Sequence, residues 1–222
     1  MIIHNDIQLD FDDVLIAPQT TTINHRSEVE IIRNFTKISL RCVPIMSANM
    51  TQTGTFDIAR ELLKNKMCAT LHKFYNANQI ADFINEIVTK PENHSAIDDD
   101  GVDGCVAMAR LFVTVGKRNW ENELKKLADI ADKTKAGFSI LLDVPNAYIP
   151  EITDCVKKLR ELYPTKIIAV GNVCSGDETQ KLILAGANLV KQGIGPSLIC
   201  MTRNQTGCGR PQLSATIDCA NA

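Results

Sequence analysis

The stretch "GIGPSLICMTR", residues 193 to 203, puts a thiol where a thiol can act. Gly193, Gly195 and Pro196 bend the chain just past the apolar run "ANLVKQ", and Cys200 follows, with Thr202 two positions later. Glycines let backbone amides approach a ligand closely. A thiol beside such groups is a nucleophile if its surroundings favour the thiolate. Position alone leaves Cys200 open between a nucleophile and a small buried hydrophobe, the reading that suits the other seven cysteines. Thr202 is open between a proton relay and a structural hydrogen bond.

Other reactive or polar residues also gather just after apolar runs: Asn49 and Met50, His72 and Lys73, Asp143 and Asn146, then Asn172. Asp143 suits a ribose hydroxyl or the cap of a following helix. Lys73 suits a phosphate or solvent, and His72 reads as structural. The eight cysteines form no CxxC pair, and no His/Cys group has zinc spacing. The acidic run Asp98 to Asp100 lacks the ligand order of a calcium loop.

The elements that must position these residues repeat one pattern. Short β-rich runs, "VPIMSA" (43–48), "CATL" (68–71), "LFVTVG" (111–116), "SILLDV" (139–144), "IIAVGN" (167–172) and "LVKQGI" (189–194), are largely unalternated, as in parallel strands buried on both faces. Amphipathic stretches separate them. Phe56, Ala59, Leu62 and Leu63 share one helical face, as do Trp120, Leu124, Leu127 and Ile130. "SGDETQKLILAGA" opens with a capping-box pattern, Ser175 to Glu178, and ends near Gly186. No GxGxxG follows the first strand. Chemistry spread over the ends of many strands points instead to an α/β fold of the TIM (β/α)8 type. Six strand–helix units are visible of the eight a closed barrel needs, in one domain spanning 1–222. The polar segment 87–109 reads as a surface insertion.

Composition narrows the function classes. A net charge of -2 gives no electrostatic case for nucleic acid or an anionic membrane. No apolar run approaches the roughly 20 residues of a membrane span. The start "MIIHNDIQLDFDD" has neither a basic n-region nor an apolar h-region. Reduced thiols in a cytoplasm are the expectation.

Five stretches, "LDFDDVLIAP" (9–18), "PIMSANM" (44–50), "LHKFY" (71–75), "AVGNV" (169–173) and "GIGPSLICMTRNQTGCGRPQLSA" (193–215), together resemble the IMP dehydrogenase/GMP reductase family of TIM barrels. The resemblance runs nearly the whole chain in order, apart from 87–109. The short insertion, with no room for a regulatory CBS pair, and the sequence "SANM" favour the reductase branch. A dehydrogenase without CBS domains is the alternative, and a catalytically inactive barrel that binds nucleotide or co-assembles is a third. The resemblance implies NADPH-dependent reductive deamination of GMP to IMP and ammonia, with Cys200 attacking purine C2 and Thr202 assisting proton transfer. It further implies cofactor contacts at His25, Arg26, Lys73, Asp143, Val144, Pro145, Ile194 and Gly195. Substrate contacts fall at Asn49, Met50 and Ser197. A potassium ion is implied on the carbonyls of Gly195, Ser197, Cys200 and Arg203. The assembly implied is a homo-tetramer, or a pairing with a complementing C-terminal fragment.

The sequence departs from the family pattern at defined places. Ser197 stands for a glycine and Leu198 for the serine that helps hold the nucleotide phosphate. Met201 replaces a threonine, Thr51 an aspartate, and Pro145 removes a backbone donor at the cofactor. The last two strands, a mobile flap and the glutamate that partners Thr202 have no counterpart. A barrel open between its first and sixth strands has two raw edges, so the expectation is a chain weakly stable and inactive by itself: a truncated form, a split gene or a fragment.

Overall fold

The computed structural model describes residues 5–89, 108–134, 136–197 and 200–222. Seven strands form one sheet in sequence order. The first, β1 (Arg33–Phe35), is antiparallel to β2 (Leu40–Met46) in a short hairpin. From β2 onward every pairing is parallel: β3 (Met67–Leu71), β4 (Leu111–Val115), β5 (Ser139–Asp143), β6 (Ile168–Val173) and β7 (Leu189–Gln192). Between them run α1 (Phe56–Lys64), α2 (Ala77–Thr89), α3 (Trp120–Lys133), α4 (Pro150–Leu162) and α5 (Gly176–Leu184). A short α6 (Met201–Thr206) and α7 (Gln212–Ala220) follow β7.

Alternation along each strand explains why this sheet curls as a barrel does. Leu111, Val113 and Val115 of β4, Ile140 and Leu142 of β5, and Ile168 and Val170 of β6 join one apolar cluster with the helices. Their neighbours Phe112, Leu141 and Ala169 face the other way, into a cluster with Leu40, Cys42, Cys68 and Ile167 to which helices α1–α7 contribute nothing. A doubly wound sheet carries helices on both faces, whereas a barrel carries them on one and fills the other with strand side chains. The six parallel strands are therefore an open arc of a (β/α)8 barrel. Near the β2 edge Ile45, Met46 and Met50 remain exposed.

The six parallel strands and their spacing match the sequence reading, with β2 starting three residues earlier, at Leu40. Two expectations need correction. The Ser175–Glu178 capping box does not form. The Ser175 hydroxyl lies 2.9 Å from the Tyr148 hydroxyl instead, and Glu178 pairs with Lys181 at 2.9 Å. The flanks of the expected insertion are core: Ile87 ends α2 inside the main cluster and Met108 is fully buried. Residues 90–107, including the acidic run, lie outside the described residues.

Candidate functional site

Apart from His25 and Arg26 on the N-terminal arm, the candidate residues lie at or just past the C-terminal ends of parallel strands. After β7 the chain turns on Gly193, with φ of +124°, and Gly195, with φ of +88°, both in the left-handed region that glycine tolerates. A side chain at Gly195 would come within 2.9 Å of the Gly209 Cα, so the loop and the segment before α7 touch backbone to backbone. Two further hydrogen bonds fix the loop: Arg210 N donates to Ile194 O at 3.0 Å, and Asn172 Nδ2 donates to Gly193 O at 3.0 Å.

Cys200 lies at the N-terminal boundary of α6, with its own amide donating to Ser197 O at 3.0 Å. The Arg203 amide is the strongest influence on its thiol. That donor, with the Thr202 amide, the Thr202 hydroxyl and the Gly195 amide, holds the thiol below its ordinary range against the upward push of partial burial. A thiol held down in this way favours the thiolate, the reactive form. Thr202 is among the groups that hold this thiol down.

A second group of candidates converges in a cleft of about 460 Å³ lined by Lys73, Asp143, Val144 and Pro145. The sequence reading placed all four at cofactor contacts. It noted their companion Asn146 only as a polar residue after a strand, and it missed Gly116, Lys117 and Arg118. The basic pair Lys117–Arg118 follows β4 directly, the same position after a strand that flagged the others. Lys73, Lys117 and Arg118 make the cleft cationic, as a phosphate-bearing ligand requires. Lys126 Nζ donates to Lys73 O at 3.2 Å and fixes the loop after β3 against α3. Burial pushes the Glu123 carboxyl up, opposed by Lys126 and then Lys73.

Asp143 neither caps a helix nor stands free. Its carboxylate pairs with Lys191 of β7, and Lys191 also donates to Asn49 Oδ1 at 3.1 Å. Lys191 was not singled out by the sequence reading. His72 stacks on Tyr75 at 4.0 Å, and Tyr75 stacks on Phe56 at 3.8 Å. Met50 and Ser197 are exposed, and Ile194 is half-buried. His25 and Arg26 lie on the exposed N-terminal arm and line neither this cleft nor the Cys200 loop. Leu198 lies outside the described residues.

The arm itself is tied to the far end of the chain. Leu9 N donates to Ser214 Oγ at 2.8 Å, Ser214 N donates to Leu9 O at 3.1 Å, and Gln212 N donates to Asp10. Beside this seam a cleft of about 640 Å³ is lined by Asp6, Gln8, Cys174, Ser175, Arg210 and Asp218, among others. Parts of two stretches that carry the family resemblance, "LDFDD" and "RPQLSA", are thus hydrogen-bonded to each other.

Residues 8–222 match the model of the IMP dehydrogenase / GMP reductase domain. The chain belongs to this family. It is 38 % identical to a GMP reductase of Photobacterium profundum over all of its own length and 60 % of that protein's. It is 34 % identical to a GMP reductase of Onchocerca volvulus, covering 99 % of the chain and 57 % of the relative. It is 36 % identical to GMP reductase 2 of Mus musculus, covering 99 % and 59 %. The chain therefore spans about 60 % of the length of the curated relatives it matches. Membership in the IMP dehydrogenase / GMP reductase family agrees with the barrel arc and with the match extending through the Cys200 loop to the last residue. Among the described residues no helix is long and apolar enough to cross a membrane, and no group of three or more His, Cys, Asp or Glu is placed to hold a metal.

Proposed function

We propose that this chain carries the nucleophile and the cofactor cleft of a GMP reductase, an oxidoreductase converting GMP to IMP and ammonia. The observation that carries the reading is the position of Cys200, on the loop that Gly193 and Gly195 turn after β7 and at the N-terminal boundary of α6, with Arg203, Thr202 and Gly195 holding its thiol down. The thiolate adds to C2 of the guanine base and forms a carbon–sulfur bond. The exocyclic amine leaves that carbon as ammonia, and Thr202, two positions from the nucleophile, passes the proton to it. A thioimidate on Cys200 remains. NADPH, when bound, supplies the hydride that C2 accepts as the sulfur leaves. The net change replaces the amine by hydrogen, and Cys200 returns as the thiolate.

The residues present fit the cofactor. Lys73, Lys117 and Arg118 offer cations to its phosphates, Asp143 offers a carboxylate to a ribose hydroxyl, and Pro145 contributes ring surface without an amide donor. Asn49, Met50 and Ser197 fall to the purine nucleotide. A potassium ion has an all-oxygen donor set in the carbonyls of Gly195, Ser197, Cys200 and Arg203, suited to a hard cation. Ser197 O already accepts the Cys200 amide and Arg203 O the Gly207 amide, so each retains one lone pair for the ion. The exposed N-terminal arm with His25 and Arg26, and a tetrameric assembly in a cytoplasm, belong to the same reading.

The exposed Ile45, Met46 and Met50 at one edge of the arc favour a second element of the reading, a polypeptide that completes the barrel. The test is incubation of the chain with GMP and NADPH, with and without such a polypeptide, following the reduced-nicotinamide absorbance and the mass of the Cys200 peptide. Oxidation of NADPH or a nucleotide adduct on Cys200 supports the proposal. NAD-dependent oxidation of IMP would transfer the chain to the dehydrogenase branch. Neither activity nor adduct, even with the completing polypeptide, leaves a non-catalytic, co-assembling barrel.

A further inference from the structure

Lys191 is the third of the four residues of β7, a strand half-buried along its length. Its register partner in β6 is Gly171, and the partner of Gly171 on the other side is Asp143 of β5. Neighbouring strands lie about 4.8 Å apart, so the Asp143 and Lys191 backbones are separated by about 10 Å with a whole strand between them. An ion pair over that span needs a lane free of side chains, and Gly171 provides it. A Cβ there would first meet the Lys191 backbone carbonyl oxygen, then come within 2.7 Å of the Lys191 Cβ and 3.0 Å of its carbonyl carbon. The lysine crosses the lane to the Asp143 carboxylate and, at 3.1 Å, to Asn49 Oδ1 on the loop after β2. With side-chain exposures of 34 % for Lys191 and 26 % for Asp143, the pair is shielded from most solvent.

We propose that Lys191 is a positioning residue that ties the cofactor subsite to the substrate subsite, its one ammonium setting the geometry of Asp143 on one side and Asn49 on the other. This rests on the functional reading above, which gives Asp143 to the cofactor and Asn49 to the nucleotide. When Asp143 turns a lone pair toward a ribose hydroxyl, its hold on Lys191 weakens and the ammonium shifts its bonding to Asn49. Occupation of one subsite thereby changes the affinity of the other, and by linkage the effect is reciprocal.

The test uses the 222-residue chain. NADPH binding is read from nicotinamide fluorescence and GMP binding by calorimetry, each alone and with the other present. Lys191→Met is expected to weaken both by about tenfold, the usual effect of losing a hydrogen bond to a charged group. It is also expected to abolish the influence of one ligand on the other. Double-mutant cycles are expected to be non-additive for Lys191→Met with Asp143→Asn toward NADPH, and with Asn49→Ala toward GMP. Lys191→Arg restores most of the loss. Additive effects, or unchanged binding in Lys191→Met, overturn the inference while leaving the functional reading in place. A wild-type chain that binds neither nucleotide overturns that reading and the coupling with it. Acetylation of Lys191 by acetic anhydride, read by mass spectrometry, needs no ligand and no folded Lys191 variant. It is expected to be slower than at exposed Lys125 in the wild type and to accelerate in Asp143→Asn; equal rates in the wild type overturn the proposal.

Discussion

Asp143 and Lys191 meet over a glycine. They lie on strands that are not neighbours, and the intervening Gly171 stands in register with both. The ion pair therefore depends on the absence of a side chain at a third position. Gly171→Ala places a methyl against the Lys191 backbone carbonyl oxygen and within 2.7 Å of the Lys191 Cβ. Overpacking of this kind costs about 1–3 kcal/mol. Urea unfolding is expected to show that loss, and acetylation of Lys191 is expected to rise because the lane is blocked. A variant as stable as the wild type, with Lys191 still protected, would refute the lane.

Thr202 contributes two of the donors that hold the Cys200 thiol down, its amide and its hydroxyl. Removing the hydroxyl leaves the amide. Thr202→Ala therefore destabilises the thiolate, and the thiol's pKa moves up. Alkylation of Cys200 by iodoacetamide, followed by mass spectrometry across pH, is expected to inflect below about 8.5 in the wild type, the value of a free thiol. In Thr202→Ala the inflection moves upward and the rate near neutral pH falls. An unchanged profile would mean that the hydroxyl does not act on the sulfur.

Gly195 serves the same thiol through its amide, and it holds a backbone angle of +88°. Alanine in that region costs about 1–2 kcal/mol from its own backbone. The added methyl would also sit 2.9 Å from the Gly209 Cα, so the loop must move. Gly195→Ala is expected to lower the urea midpoint and to raise the Cys200 inflection together, because one displacement causes both. A stability loss with the alkylation profile intact would separate the loop's strain from its role at the thiol.

Much of this arrangement was legible in the sequence because it follows from local order. Apolar runs without alternation gave the parallel strands, and residues just past those runs gave Lys73, Asp143, Val144 and Pro145, which one cleft gathers. Cys200 and Thr202 are close in sequence, so their partnership needed only a tight turn. Lys191 was hidden because a lysine inside a strand reads as a solvent-facing residue; its meaning depends on Gly171 and Asp143, which only the register brings together. The failed capping box has a similar origin. Ser175 had the right spacing to Glu178, but Tyr148, distant in sequence, takes its hydroxyl. Lys117 and Arg118 carried the same positional signal as Lys73 and were overlooked.

Arg210 and Asp218 form a second charged pair, 2.5 Å apart, that holds the start of α7 to α5 through Gly176 N at 3.1 Å and Cys174 O at 3.1 Å. The Arg210 guanidinium, then the Gly176 amide, hold the Asp218 carboxyl below the usual carboxylate range. A folded-state value below the unfolded one means the unfolded chain binds the proton first. The stabilisation is present above the ordinary aspartate value of about 3.9 and is lost as pH falls through the lower folded value. With Asp218 43 % exposed, solvent screening limits it to no more than about 1 kcal/mol. Asp218→Asn is expected to be less stable than the wild type near neutral pH, with the gap closing below about pH 4. A gap of constant size across that range would mean that charge is not its source.

Phe112 tests whether the helix-free face is a true core although the arc is open. It is fully buried in the strand-lined cluster with Leu141, Ala169 and Leu40. Helices α1–α7 contribute nothing to that cluster, which strand residues build with the flanking Ile38, Ala109 and Ile167. If the face is packed to interior density, Phe112→Ala leaves a cavity and costs about 3–5 kcal/mol. Ile45, 53 % exposed near the β2 edge, provides the internal contrast. Ile45→Ala removes an apolar side chain that the arc leaves in solvent, and its effect is expected to stay within about 0.5 kcal/mol. Urea unfolding of both variants measures the difference. A large loss at Phe112 with near-neutrality at Ile45 establishes that the interior is formed while the edge awaits a covering surface. Comparable small effects at both would mean that the strand-lined face is loosely packed, and that the curvature needs the missing contact to become a barrel wall.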